Sequence, residues 1–321
     1  MASRNDKIRV GVSSCLLGLE VRFDGGHKRD RRVTDVLAHH FELVPVCPEV
    51  EVGMGTPRET VRLVGSAAEA RLVTTRSGVD WTERMERYAT WRVAQPDLAE
   101  LRGYILKSDS PSCGLERVRV HGASGIPSRD GVGLFARALV KRFPWLPVEE
   151  EGRLNDAVLR ESFLTRVFGY QRVRAFLDDP AWTLAGLVRF HATHKYLLLA
   201  HSPRHAKDLG QLVARAKTLS REELARGYVE GFMSALAEKP TPGKNANVLL
   251  HILGYLGGHI TDADRHDVLA VIDDYRRRLV PLSVPVTLLR HHVKGRDVPY
   301  VRDQVFFAPH PKELGLRNHV A

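Results

Sequence analysis

Three thiols stand out in this 321-residue chain: Cys15, Cys47 and Cys113, separated by 32 and 66 residues. The spacing matches neither the paired C-x-x-C of a structural zinc site nor the closely spaced run of a ferredoxin. An odd, sparse set argues against a disulfide framework and fits a reducing compartment. Two readings stay open on spacing alone: three unrelated buried cysteines, or three ligands that folding brings together. The flanking residues favour the second. Cys47-Pro48-Glu49 sets a carboxylate two residues from a thiol, and Ser108-Asp109-Ser110-Pro111-Ser112-Cys113-Gly114 surrounds another with small hydrogen-bonding groups. Thiolate ligands need such donors to offset their charge.

The elements that must position these thiols alternate. Lys7–Val12 reads as a strand, followed by a loop holding Asp24-Gly25-Gly26, a helix over Arg31–His40 and a strand over Glu42–Val46. Further strands are predicted at Val61–Val64, Gly103–Leu106 and Val118–His121, with helices around Trp81–Ala94 and Gly133–Phe143. The pattern predicts an α/β domain with a largely parallel sheet over residues 1–150. Each cysteine follows closely on a predicted strand. Ligands of open parallel sheets bind beyond the carboxyl ends of the strands. If the three strands are parallel neighbours, the three thiols meet at one edge, like a metal site. On a four-iron cluster, three such ligands would leave one iron open for substrate.

A proline-containing acidic stretch, Pro144–Arg153, reads as the break between halves. Beyond it, residues 155–321 predict an all-α domain. Helical spacing runs through Asn155–Phe168, Trp182–Ala200, His205–Leu219, Arg221–Glu238, Asn247–Gly257 and Thr261–Leu279. Asp156 and Thr261 are candidate N-caps, and the last forty residues read as proline-interrupted and extended.

Net charge is +10. Residues 1–150 hold 23 basic and 20 acidic residues; residues 151–321 hold 25 and 18, with 11 of the 15 histidines. The excess lies away from the cysteines and suits a polyanion, although ordinary solubility accounts for it equally well. Lys195, Tyr196, Arg204, His205, Lys207, Arg215 and Lys217 form the best candidate face. His191 and His194 sit three residues apart without an evident third metal ligand, so a structural role is expected. The start, MASRNDKIRV, has no signal-peptide core, and no run reaches the ~18 apolar residues of a membrane span. A cytoplasmic protein with no membrane partner is the expectation.

Three blocks resemble the signatures of the bacterial thiouracil desulfidase family: RVGVSSCLLGLEVRFDGGH (9–27), VCPEVEVGMGTPRE (46–59) and YILKSDSPSCG (104–114). The resemblance spans residues 7–145. The second half, through Phe190–Ser202, Asn245–Gly258, Pro281–His292 and Tyr300–Pro311, resembles a domain found fused to that one, and the combination is similar to bacterial enzymes that remove sulfur from 4-thiouridine in tRNA. The resemblance implies a [4Fe-4S] cluster on Cys15, Cys47 and Cys113, whose open iron takes the substrate sulfur. It implies Glu49 as the proton-transfer group and Ser110 as the residue orienting substrate or water, with Ser112 as its rival. Ser14 and Asp24-Gly25-Gly26 match the first block or merely shape its loop. Arg58 either meets the substrate or anchors its loop by a salt bridge; Lys107 offsets cluster charge or simply ends a strand. Lys195, Arg204 and Lys207 would contact thiolated tRNA, with no obligate protein partner implied. Alternatives are a desulfidase of free thiolated bases, a nucleic-acid-binding sensor with a cluster, and a zinc protein.

Overall fold

A computed structural model describes residues 7–122 and 126–320. The charged first six residues, part of the stretch read above for a signal peptide, lie outside the described residues. The chain divides into two compact units, Met1–Asp156 and Ala157–Ala321.

The first unit is α/β. One sheet is wholly parallel and has the order β2-β1-β5-β8, from β1 (Ile8–Ser13), β2 (Phe41–Val46), β5 (Gly103–Leu106) and β8 (Val148–Glu150). A second, mixed sheet has the order β4-β3-β6-β7, from β3 (Val61–Val64), β4 (Arg71–Thr74), β6 (Val118–His121) and β7 (Ser128–Gly131). β1 lies between β2 and β5, as a buried apolar strand should: Val10 and Val12 are buried. Gly11 pairs with Tyr104 across the sheet, and a Cβ there would come within 2.3 Å of the Tyr104 ring. Glycine at this position lets that fully buried ring lie across the central strand. The helices Thr82–Val93 and Leu134–Arg142 pack against each other.

Five strands and two helices follow the sequence pattern closely. Residues Arg32–Leu37 wind as a π-helix before one turn of α-helix, where an ordinary helix was expected. Three strands escape periodicity. β4 and β7 are four-residue strands, one of them as polar as Ser128-Arg-Asp-Gly131, and β8 lies inside the acidic stretch expected to be a break. Three residues are too few to show alternation, and Glu149 and Glu150 are buried against expectation.

The second unit is helical throughout. Its main helices are Ala157–Leu177, Leu184–His201, Pro203–Ala214, Arg221–Ala237, Pro242–Tyr255 and Asp262–Arg276. Thr261 caps the last of these, accepting from Asp264 N in a capping box. The tail departs from expectation, because Ser283–Val293 is an eleven-residue helix. Its Pro285 stands in the first turn, where the missing N–H has no intrahelical partner to lose. Leu249, Ile252, Val268, Leu289 and Phe306 share a core. Among the described residues no helix is long and apolar enough to cross a membrane.

His194, His201 and His310 are each buried in this unit, and burial pushes each of them down from the ordinary 6.5 to about 4. They are neutral in the fold. As pH falls below about 6.5 the unfolded chain binds protons that the folded chain refuses, so stability present at neutral pH is lost towards pH 4. Each histidine steepens that loss by up to ~1.4 kcal/mol per pH unit. Urea unfolding of the helical unit should therefore weaken sharply between pH 7 and pH 5. His201→Gln, which keeps a donor for the Glu238 carbonyl, should flatten the dependence. An unchanged slope in that variant would refute the assignment.

Candidate functional site

The carboxyl ends of β1, β2 and β5 are level. Ser13 stands opposite Val46, and Val12 opposite Ile105. Cys47 follows β2 directly and Cys15 lies in the 3-10 turn after β1. Cys113 comes at the end of the loop that leaves β5. All three line one cavity of about 400 Å³, together with Glu49, Arg58 and Ser110. Each thiol is pushed up by burial: Cys15 to about 11, with the charge of Cys47 adding to it, and Cys47 and Cys113 in the same direction. Among the described residues, no three histidine, cysteine or acidic side chains gather tightly enough to hold a single metal ion.

Donors face two of the sulfurs. Cys47 is the N-cap of the one-turn helix Pro48–Glu51, and the nearby Val50 and Glu49 N–H groups favour its thiolate form. The Ser13 hydroxyl does the same for Cys113 while accepting from Lys107 N at 3.0 Å. Both arrangements stabilise sulfur as an anion, the form that binds metal.

The Cys113 loop is held rigidly. Ser110 Oγ accepts from Cys113 N (3.0 Å) and Ser112 N (3.3 Å). The free N–H groups at the start of Leu134–Arg142 donate to loop carbonyls, Phe135 N to Ser112 at 3.0 Å and Gly133 N to Gly114 at 2.8 Å. This contact needs glycine: a Cβ on Gly133 would fall 2.5 Å from the Ser112 carbonyl.

Glu49 is the best-anchored carboxylate of the cavity. Arg58 Nε donates to its Oε2 at 3.0 Å, Arg58 Nη2 donates to the same oxygen, and Ser112 Oγ donates to Oε1 at 3.0 Å. The side chains of Arg58 and Glu49 are only 7% and 16% exposed, so the pair is desolvated. Arg58 Nη1 also donates to the carbonyls of Val21 and Gly55, both at 2.9 Å. The arginine is thus engaged on both arms, and the structure favours its loop-anchoring alternative. Ser112 is fully buried and supports Glu49 from behind. Ser14 is buried and lines the cavity. Lys107 ion-pairs with Glu151.

Several residues of the site were not singled out from sequence. Ser13 is one; the acidic segment is another. Glu151 Oε2 accepts from Ser108 N at 2.7 Å, and Glu150 Oε1 from Leu115 N at 2.8 Å, bracketing the third cysteine's loop. Arg22, Phe23 and Lys28 also line the cavity, and Phe23 is 37% exposed. The sequence held one usable signal, an apolar aromatic beside two cations in a glycine-rich loop. Asp109 lines the cavity with a left-handed φ of 56°, tolerable for aspartate.

The helical unit's candidates lie elsewhere. Lys195, Arg204 and Lys207 are exposed on its surface. Tyr196, expected on the same face, is instead 4% exposed and belongs to the core. His191 Nδ1 meets the Tyr228 hydroxyl at 3.3 Å, and His194 Nδ1 the Phe190 carbonyl at 2.7 Å. Both rings pack structurally.

A family model described as 2-thiouracil desulfurase matches residues 10–151. One described as a protein of unknown function, DUF1722, matches residues 195–311. The uncharacterised protein YbbK of Bacillus subtilis (strain 168) is 33% identical over 150 residues, which cover 45% of this chain and 97% of YbbK. The uncharacterised protein YbgA of Escherichia coli (strain K12) is 28% identical over 159 residues, 49% of this chain and 94% of YbgA. A solved structure, the [4Fe-4S]-dependent thiouracil desulfidase TudS, is 31% identical, with 46% of this chain and 94% of that one covered at a TM-score of 0.37.

Because Glu49 and Arg58 are buried together, removing one strands the other. Arg58→Met should destabilise the α/β unit by roughly 3–5 kcal/mol in denaturant unfolding. The double variant with Glu49→Gln should lose much less than the two single losses combined. Simple additivity would show that the pair is not coupled.

Proposed function

We propose, from the premise that this chain belongs through residues 10–151 to the 2-thiouracil desulfurase family, that it replaces the thiocarbonyl sulfur of 4-thiouridine in tRNA by oxygen. The observation that carries the reading is the convergence of Cys15, Cys47 and Cys113 on one cavity beside the anchored Glu49. The donor set fits a [4Fe-4S] cluster: three soft thiols, backbone and hydroxyl donors aimed at the sulfurs, and no fourth cysteine in the chain. TudS, named as [4Fe-4S]-dependent, shares 31% identity with it. Cys15, Cys47 and Cys113 would hold the cluster, which when bound supplies a Lewis-acidic iron for the substrate's sulfur.

The chain's own residues do the rest. In the overall reaction water adds its oxygen to the pyrimidine carbon, the carbon–sulfur bond breaks, and sulfur leaves as hydrosulfide with no net redox change. Glu49 takes the proton from water and passes it on, its two oxygens held by Arg58 and Ser112 so that it cannot swing away. Ser110 uses its oxygen to close the cysteine loop, leaving its proton to donate into the cavity towards substrate or water. Phe23 offers a face on which a base can stack, and Lys28 and Arg22 supply positive charge beside it. The basic helical unit, with Lys195, Arg204 and Lys207 exposed, would hold the polyanion. A base inside tRNA must also open locally to reach the cavity.

Two measurements test this reading. Anaerobically reconstituted protein should convert 4-thiouridine to uridine in purified tRNA and release sulfide in equal amount. Glu49→Gln should lower turnover ~10²–10⁴-fold while keeping the cluster's absorption, whereas serine at Cys15, Cys47 or Cys113 should remove that absorption. Loss of the cluster signal in Glu49→Gln would recast Glu49 as structural.

The tRNA assignment stands on a separate comparison. Turnover of thiolated tRNA should exceed that of free 2- or 4-thiouracil. Binding should weaken with salt at a log–log slope near −5, for about six phosphate contacts. Reaction with free bases only would move the substrate to the small-molecule class.

A further inference from the structure

The helical unit holds a small second cavity that the desulfidase reading does not use. It has a volume of about 80 Å³ and is lined by Glu161, Ser162, Thr165, Asn245, Tyr275 and Arg317, among others. At roughly 30 Å³ per water, this admits a few waters or one tetrahedral oxyanion, and nothing as large as a nucleoside.

Its chemistry is set by Arg317. The side chain is only 9% exposed, and Nε has no hydrogen-bond partner although it is buried. The nearest carboxylate oxygen, Glu161 Oε1, stays at 3.6 Å, beyond a hydrogen bond. Nη1 donates to the Phe306 carbonyl at 2.6 Å. A buried guanidinium with an unmet donor is an expensive arrangement unless something completes it.

The backbone holds the arginine in place. Arg317 has a left-handed φ of 67°, which a non-glycine residue adopts only when its surroundings enforce it. Its N–H donates to Glu161 Oε2 at 3.0 Å, and its carbonyl accepts from Ser283 N at 3.1 Å. Glu161 therefore fixes the strained backbone and leaves the guanidinium short of a close ion pair. The hydroxyls of Ser162 and Thr165 line the cavity beside Asn245, whose amide donates to the Tyr275 hydroxyl at 2.9 Å, and His319 Nδ1 stands 3.7 Å from Glu161 Oε2. Lys239 stands exposed at the edge.

From these features we propose that the cavity is a binding site for hydrogen phosphate. The guanidinium supplies charge and a donor, and the hydroxyls supply further donors. Glu161 selects the ion: a carboxylate accepts the proton that hydrogen phosphate still carries, and repels a fully ionised sulfate of the same shape. Selectivity here rests on an unmatched acceptor rather than on size.

The test is titration calorimetry on the full-length protein with inorganic phosphate and then sulfate at neutral pH, supported by thermal unfolding. Phosphate should bind saturably and raise the unfolding midpoint. Sulfate should bind at least roughly tenfold more weakly, the factor one unmatched buried hydrogen bond gives. Glu161→Gln should erase that preference, and Thr165→Val, which keeps the side chain's shape, should weaken phosphate several-fold. Arg317→Met should abolish binding; where it fails to fold, Thr165→Val and Glu161→Gln decide. Equal responses to phosphate and sulfate in the parent protein and both variants, or no saturable response, would overturn the proposal. Neither result depends on whether the cysteine cavity removes sulfur.

Discussion

Everything in the α/β unit depends on β1 being hydrogen-bonded in parallel register to β2 on one side and β5 on the other. That register makes three strand ends level, and loops leaving level ends in a parallel sheet must begin on the same side. A two-residue excursion after β1 and none after β2 suffice to bring Cys15 and Cys47 to the cavity. Cys113 has farther to travel, and its loop is correspondingly the most heavily braced. Ser110 closes it from within, the start of Leu134–Arg142 binds its carbonyls, and Glu150 and Glu151 hold its two flanks. Rigidity is concentrated where the sheet alone does not provide it.

The same logic explains the carboxylate. In the proposed reaction a glutamate free to rotate would relay protons poorly, because transfer needs hydrogen-bond reach of the reacting group. Glu49 is immobilised through partners from different loops, Arg58 and Ser112, and Arg58 is tied in turn to Val21 and Gly55. The first, second and third cysteine segments are therefore joined through one ion pair. Burial makes that pair costly to break and cheap to keep aligned, which suits a positioning device better than a stabilising one.

How much of this was legible in the sequence follows from where the information lies. That the three cysteines share one cavity was legible because strand ends carry a pattern: an apolar run stops, small and polar residues begin, and a thiol follows; Glu49 and Ser110 were singled out through the family resemblance. The all-α second unit was legible from repeated 3.6-residue periodicity. β8 was not, because three residues contain no period and its acidic composition resembles a linker. Its Glu150 is retained in the interior by the backbone N–H of Leu115, in a loop 35 residues away, a partnership no local window contains. Ser13 was hidden for the opposite reason, being an ordinary strand-end serine until β5 brings Cys113 beside it. Tyr196 was misplaced on the surface because its neighbour Lys195 is exposed, and one helical step of 100° separates solvent from core.

The charge balance of the cysteine cavity carries the argument one step further. Burial pushes all three thiols up, and Cys47 adds to this at Cys15 and Cys113, so three thiolates there need compensating positive charge. Arg58 is paired with Glu49, Lys107 with Glu151, and Arg22 with Asp24 at 3.6 Å, while Lys28 also lines the cavity. Dipoles add to these cations: the Val50 and Glu49 N–H groups at Cys47 and the Ser13 hydroxyl at Cys113. Dipoles tune an anion's energy without neutralising it, and under the proposed function a cationic centre bound by the sulfurs would complete the balance. A structural core of inert cysteines would need neither the aimed donors nor the cavity. On the proposed reading the cavity is a ligand set, and the ion pairs of Arg58 and Lys107 fix the loops that carry it.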